Sequence, residues 1–373
     1  MREIKRALKF VKIKKAIKLR RASSKNYAQS GLRSSPRNDR AETPAQNILY
    51  RTSNTNSVFD FSHMKKLFGI ALGLISAIAY GTNPLFGVNL LRAGVGVEEM
   101  LWWRFAGAAI LLAPIACYFS GGLKTPARNI PILAMLGVLF AASAHSLFAA
   151  FELIPAGIAS AMLFLYPVFV AIIMSAFFKE KPKLSTIIAM AAALAGVAFL
   201  YADDAGISGF GLRSPAALKG AALVVVSALF YAFYIVAVKV SRVADMDGIK
   251  LTFYSVLFAA LAAFALCASQ SQIRLPHNWF EAANALGLVA FPTALSIAAI
   301  SYSIKYAGAT IAALLGAFEP ATAVSISAVF LGEKFTFSIG VGIALISAAT
   351  VVITASQNSG LLAEKLRKFH IKS

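Results

Sequence analysis

Residues 166–181 read YPVFVAIIMSAFFKEK and residues 319–334 read EPATAVSISAVFLGEK. Each is an apolar run with proline in second place and a Glu-Lys pair at its end: Pro167 and Pro320, Glu180-Lys181 and Glu333-Lys334. One such run says little. Two of them, 153 residues apart in a chain of 373, point to an internal repeat. Nearer the N-terminus the shift is 151. Ser76-Ala77-Ile78-Ala79-Tyr80 falls on Ser227-Ala228-Leu229-Phe230-Tyr231, Trp102-Trp103 on Phe253-Tyr254, and Ala156-Gly157 on Ala307-Gly308. A two-residue insertion is therefore expected after Gly308.

The repeated runs belong to a chain that is 58% apolar and only 14% charged, with mean hydropathy +0.71. Soluble domains carry about 25% charged residues, and polar surface this scarce does not cover a water-soluble globule. A membrane span needs about 20 mostly apolar residues. Such runs occur at 67–90, 99–119, 130–150, 156–178, 184–201, 217–240, 249–269, 283–304, 308–331 and 336–355. The expectation is an all-α integral membrane protein of ten transmembrane helices. Because five is odd, the second half enters from the opposite face, which makes two inverted five-helix repeats, 64–202 and 203–356.

Charge sets the expected orientation. The net charge of +20 is uneven: residues 1–63 hold 15 Lys/Arg against 4 Asp/Glu. With Met64 on the cytoplasmic side, fifteen loop and tail Lys/Arg fall on that side and five on the other. This bias predicts both termini in the cytoplasm, in a bacterial inner membrane. Residues 1–63 read as a basic, disordered extension; apolar positions in 2–21 scatter around the helical wheel. The basic stub Met64-Lys65-Lys66 before the first apolar run marks Met64 as the expected start. Residues 357–373 read as a basic cytoplasmic tail.

Several functions drop out. No GxxxxGK[ST] occurs, so ATP does not drive the chain directly. The four histidines form no HExxH, and Cys117 and Cys267 make neither a disulfide scaffold nor a metal site. The paired acids Asp203-Asp204 sit in a loop, which leaves no constellation for an intramembrane hydrolase. No cofactor, metal or nucleic-acid partner is expected.

The sequence resembles the EamA-type transporters of the drug/metabolite transporter superfamily over residues 66–356. The resemblance rests on AYGTNP at 79–84, WRF at 103–105, YPVF at 166–169 leading to KEK at 179–181, and FEP at 318–320 leading to LGEK at 331–334. It implies a ten-helix bundle with a central cavity and alternating access. It leaves the substrate open, among amino acids, sugars, nucleotide derivatives, phosphorylated metabolites and toxic cations, and leaves room for a homodimer. One departure matters. The related small multidrug-resistance proteins use a Glu in their first span, whereas here no acid stands between Lys66 and Arg92.

Ionisable residues inside spans cost a few kcal/mol on insertion scales, so each one asks for a cavity or a partner. Arg104 breaks the repeat, its counterpart being Ser255. It reads as a guanidinium for a carboxylate or phosphate; the competing reading is an arginine snorkelling beside Trp102 and Trp103. An Arg here also recurs in the family. Glu319, before Pro320, reads as a site for a substrate amine or a coupling proton. Tyr80 and Asn83, close to Pro84, and Tyr231 at similar depth in the sixth span read as cavity-lining groups. His145 and Glu152, seven residues apart, share a helix face and suggest a proton relay. Glu180 and Glu333 read as structural end-of-helix groups. The function expected is a secondary transporter of a small polar metabolite, such as an amino acid or other carboxylate, with a lean to export. The alternatives are an exporter of toxic organic compounds or drugs, and a non-transporting scaffold or sensor.

Overall fold

A computed structural model describes residues 64–180, 183–202, 214–269 and 274–370. The basic extension 1–63 lies outside the described residues. The described part is helical throughout: α1 (64–80), α2 (Asn83–Arg92), α3 (Val97–Phe119), α4 (Ile130–Ala150), α5 (Ala156–Leu163), α6 (Tyr166–Phe178), α7 (Leu184–Ala202), α8 (Pro215–Val240), α9 (Gly248–Ser269), α10 (Trp279–Val289), α11 (Ser296–Ala307), α12 (Ala309–Gly316), α13 (Glu319–Leu331) and α14 (Phe337–His370). A π-helical turn, Ala290–Leu295, joins α10 to α11.

Seven helical segments are long and apolar enough to cross a membrane: Met64–Arg92, Val97–Phe119, Ala127–Ala150, Ala156–Phe178, Pro215–Val240, Gly248–Ser269 and Trp279–Ala307. Three shorter apolar helices, Leu184–Leu200, Glu319–Leu331 and Phe337–Ile353, occupy the other apolar runs. The backbone of α14 stays helical to His370, into the stretch that the sequence reads as a tail; its Leu, Ala, Glu and Lys are good helix formers.

Proline explains where the segments break. Pro84, Pro167 and Pro320 each stand in the first turn of a second half-helix, α2, α6 and α13. Without an N–H, a proline leaves the carbonyl four residues earlier without its helical donor. At Pro84 that carbonyl is Tyr80, and the Asn83 side-chain amide supplies the bond at 2.9 Å. At Pro292 it is Leu288, and the Thr293 hydroxyl donates to it at 3.1 Å. The second repair accompanies the π turn.

The half-helices also correct the register. α5 and α12 each span eight residues, α6 and α13 thirteen, and both pairs are related by a shift of 153. Ala156 therefore corresponds to Ala309, not Ala307, and the two-residue insertion precedes the fourth run. Small residues can look alike two places out of step; helix ends cannot.

The same contact occurs twice with the halves exchanged. Ser76 of α1 donates to the Ser296 carbonyl at 2.9 Å, its hydroxyl 3.1 Å from that of Ser296. Ser227 of α8 donates to the Ser143 carbonyl at 2.7 Å, with hydroxyls again 3.1 Å apart. Each half thus pairs its first apolar run with the other half's third. Elsewhere α7 lies along α14. Backbones approach there so closely that a Cβ on Gly196 would stand 2.8 Å from the Gly342 carbonyl oxygen. With no hydrophobic drive between helices in lipid, such close seams carry much of the packing.

Candidate functional site

Arg104 is buried in the first half of α3. Its Nε donates to the Thr293 hydroxyl at 3.2 Å. Its guanidinium carbon lies 5.7 Å from the centre of the Phe105 ring and 5.5 Å from that of Phe148, within cation–π reach of both. Tyr80 is its other close neighbour. Among the described residues, no carboxylate stands within 4.0 Å of it. The arginine is thus embedded and aimed, and it is not snorkelling at the belt of Trp102 and Trp103. Trp103 is engaged elsewhere, donating to the Arg274 carbonyl at 2.9 Å.

The aim comes from the π turn. Thr293, itself buried, gives its proton to the Leu288 carbonyl and so turns its lone pairs to Arg104. Neither Thr293 nor Phe148 stood out in the sequence. The available signal was a hydroxyl beside a mid-span proline.

Glu319 opens α13 immediately after the break from α12. Tyr80, Tyr166 and Tyr231 all feel its charge. No described cation pairs with it. Tyr80 lies within electrostatic reach of Arg104 and Glu319 alike. A buried cation and an acid thus both act on one tyrosine, and the two are not paired with each other. Tyr166 meets Tyr231 edge-on at 4.8 Å between ring centres, and Tyr231 stacks on Tyr234 at 5.9 Å. Tyr80, Tyr166, Tyr231, Tyr234 and Glu319 are each half-buried although they lie deep in the bundle. Asn83 contributes differently: its amide repairs the Tyr80 carbonyl, and its buried Oδ1 has no partner.

His145 and Glu152 are not brought together. His145 Nε2 lies 2.8 Å from Oε1 of Glu98, and Glu152 is exposed in the turn beyond α4. Beside Glu98, Arg274 joins Glu99 at 3.2 Å and Glu281 at 3.5 Å. Among the described residues, no group of His, Cys, Asp and Glu suits a metal ion.

The two ends of the bundle differ. At one end Glu333, in the turn between α13 and α14, caps α5: Oε1 accepts from the Ala156 N–H at 2.7 Å and Oε2 from the Gly157 N–H at 3.0 Å. Burial pushes this carboxyl above its usual range, against the pull of the two donors and of Arg92. Arg92 donates to the Leu331 carbonyl at 3.2 Å. Here α5 packs on α13, and a Cβ on Gly157 would stand 3.1 Å from Val324 Cα. Two buried hydroxyls near this seam, Ser160 and Ser327, have no hydrogen-bond partner. At the opposite end Glu180 pairs with Lys239 at 3.0 Å, both partly solvated. Among the described residues, α6 and α12 do not pack as α5 and α13 do. A Cβ on Gly308, just before α12, would meet open space.

The EamA-like transporter family model matches residues 67–202 and 218–355. A protein of Archaeoglobus fulgidus described as an uncharacterized transporter is 26% identical over 285 residues, covering 76% of this chain and 96% of that protein. A solved crystal structure, 17% identical, superposes with a TM-score of 0.56 over 78% of this chain and 98% of its own, a likeness of fold.

Proposed function

The chain belongs to the EamA-like transporter family, and on that premise we propose that it carries a small polar metabolite, an amino acid or another carboxylate, by alternating access. The observation that carries this reading is that Arg104 and Glu319 both act on Tyr80 and are not paired with each other. A buried charge without a partner is costly. A ligand that brings the missing partners repays that cost. Arg104 takes the anionic end, with its Nε already committed to Thr293, Tyr80 beside it, and no carboxylate paired with it among the described residues. Glu319 takes an amine or a coupling proton. Tyr80 and Tyr231 line the path, and Asn83 holds the bend that exposes it. Any proton route through His145 runs to Glu98, with Glu152 beyond it.

Ten helices in two inverted repeats are the frame for this mechanism, and the exchanged serine bonds support it. The loop charge puts the Arg92 end outside and the Lys239 end in the cytoplasm, with both termini inside. In that orientation the packed α5–α13 seam with its Glu333 cap faces outside and the unpacked α6 and α12 face inside, which supports loading of cytoplasmic substrate, as in an exporter. A second reading draws on the tyrosine wall beside Glu319, which suits an organic cation. Arg104 repels such a cargo.

Counterflow into proteoliposomes tests the choice, with amino acids, organic acids and organic cations as cargo. Carboxylate exchange that is lost in Arg104→Ala and Glu319→Gln, with both variants folded, is the expected result. Organic-cation exchange undiminished in Arg104→Ala would favour the second reading. Wild-type flux in both variants would remove them from the site.

A further inference from the structure

Glu180 and Glu333 occupy the same place in the two halves. Each follows a residue in the left-handed conformation, Lys179 at φ 56° and Gly332 at φ 73°. The peptide N–H of Glu180 donates to the Met174 carbonyl at 3.2 Å, and that of Glu333 to the Ser327 carbonyl at 3.2 Å. Both carboxylates therefore leave equivalent helix ends on equivalent backbones. Their contacts nevertheless differ. Glu333 crosses to the other half and holds the first two peptide N–H groups of α5. The corresponding groups for Glu180, under the shift of 153, are the N–H groups of Ala309 and Thr310 at the start of α12. Glu180 faces Lys239 instead.

We infer that the two glutamates are exchanging latches: Glu333 caps α5 to seal the Arg92 end, and in the opposite state it lets go while Glu180 leaves Lys239 and caps α12 to seal the other end. This rests on the alternating-access reading and assigns its two latching residues. The physical case is one of unequal bonds. A carboxylate on two free N–H groups at a helix start makes charge-assisted bonds and meets the positive end of the helix dipole. The exposed Glu180–Lys239 pair is a weak holding contact. Glu180 thus has a better partner waiting once α6 and α12 close.

The test needs no substrate. In a Cys117→Ser/Cys267→Ser background, spin labels at Leu218 and Phe335 report the Arg92 end, and labels at Phe177 and Lys305 the Lys239 end. All four positions are exposed. Distance distributions are measured by pulsed electron resonance in liposomes. Glu333→Gln should shift the population roughly fivefold or more toward a widened Arg92 end and a narrowed Lys239 end, the size of losing a helix cap. Glu180→Gln should shift it the other way. Lys239→Ala, which frees Glu180 without removing it, should act like Glu333→Gln. Opposite signs for Glu180→Gln and Lys239→Ala separate a latch from a plain ion pair, whose two halves would move the distances alike. Two populations in the parent with no response to Glu180→Gln would overturn the latch and leave alternating access standing. A single, unchanging distance at both ends in every variant would overturn both.

Discussion

At the scale of residues, a substitution that keeps charge can still lose function. Arg104→Lys retains a cation but loses the planar fork and the Nε bond to Thr293. A hydrogen bond to a charged group is worth about 1.5–3 kcal/mol, so uptake efficiency should fall roughly tenfold or more in proteoliposomes. Thr293→Val removes the hydroxyl that aims the guanidinium and should raise the half-saturating concentration more than it lowers the maximal rate; Thr293→Ser should restore both. The charged members of the site were legible in the sequence because an ion in an apolar run stands out. Thr293 and Phe148 were not, since a threonine or an aromatic is ordinary in a span and only the fold shows which ones converge. The His145–Glu152 pairing shows the converse: a shared helix face puts two groups on one side but does not bring them together when a nearer acid, Glu98, reaches in from α3.

At the scale of elements, the π turn Ala290–Leu295 is the least replaceable piece. Pro292→Ala restores the missing N–H and lets the turn relax toward an ordinary helix. One residue of helical phase is about 100°, enough to carry Thr293 away from Arg104. The expected phenotype copies Thr293→Val in transport while thermal stability in detergent is kept or raised. The two serine contacts predict a matched pair. Ser76→Ala and Ser227→Ala should each cost about 0.6 kcal/mol, the mean for interhelical bonds in a membrane protein, and by similar amounts, as read from unfolding in mixed micelles. The helices were legible, because apolar length leaves a mark in sequence; the breaks at Pro84, Pro167, Pro292 and Pro320 fell inside runs read as continuous. The register of the fourth run was not legible, because Ala-Gly recurs too often in membrane helices to fix an alignment.

At the scale of the whole molecule, the two matched halves share a plan but are not equal. The α7–α14 seam is the joint that fastens the last helix of each half. Gly196→Val should wedge it open, costing about 1–3 kcal/mol and lowering the melting temperature without touching the candidate site. Orientation can be read by labelling: a cysteine at the exposed Phe335 should react with an impermeant maleimide added outside intact cells, and one at the exposed Phe177 should not. The repeat itself was legible from two short motifs. How the two ends differ was not, since both carry the same motif and only the contacts of Glu333 and Glu180 tell them apart.

The unpartnered hydroxyls of Ser160 and Ser327 bear on speed. A buried donor left without a bond costs about 1–3 kcal/mol, and water would satisfy it once the seam parts. The closed seam is thus held with deliberate slack, like a door kept from slamming. Replacing both serines by alanine would turn that slack into grip. The protein would melt later and cycle more slowly, a trade of throughput for durability.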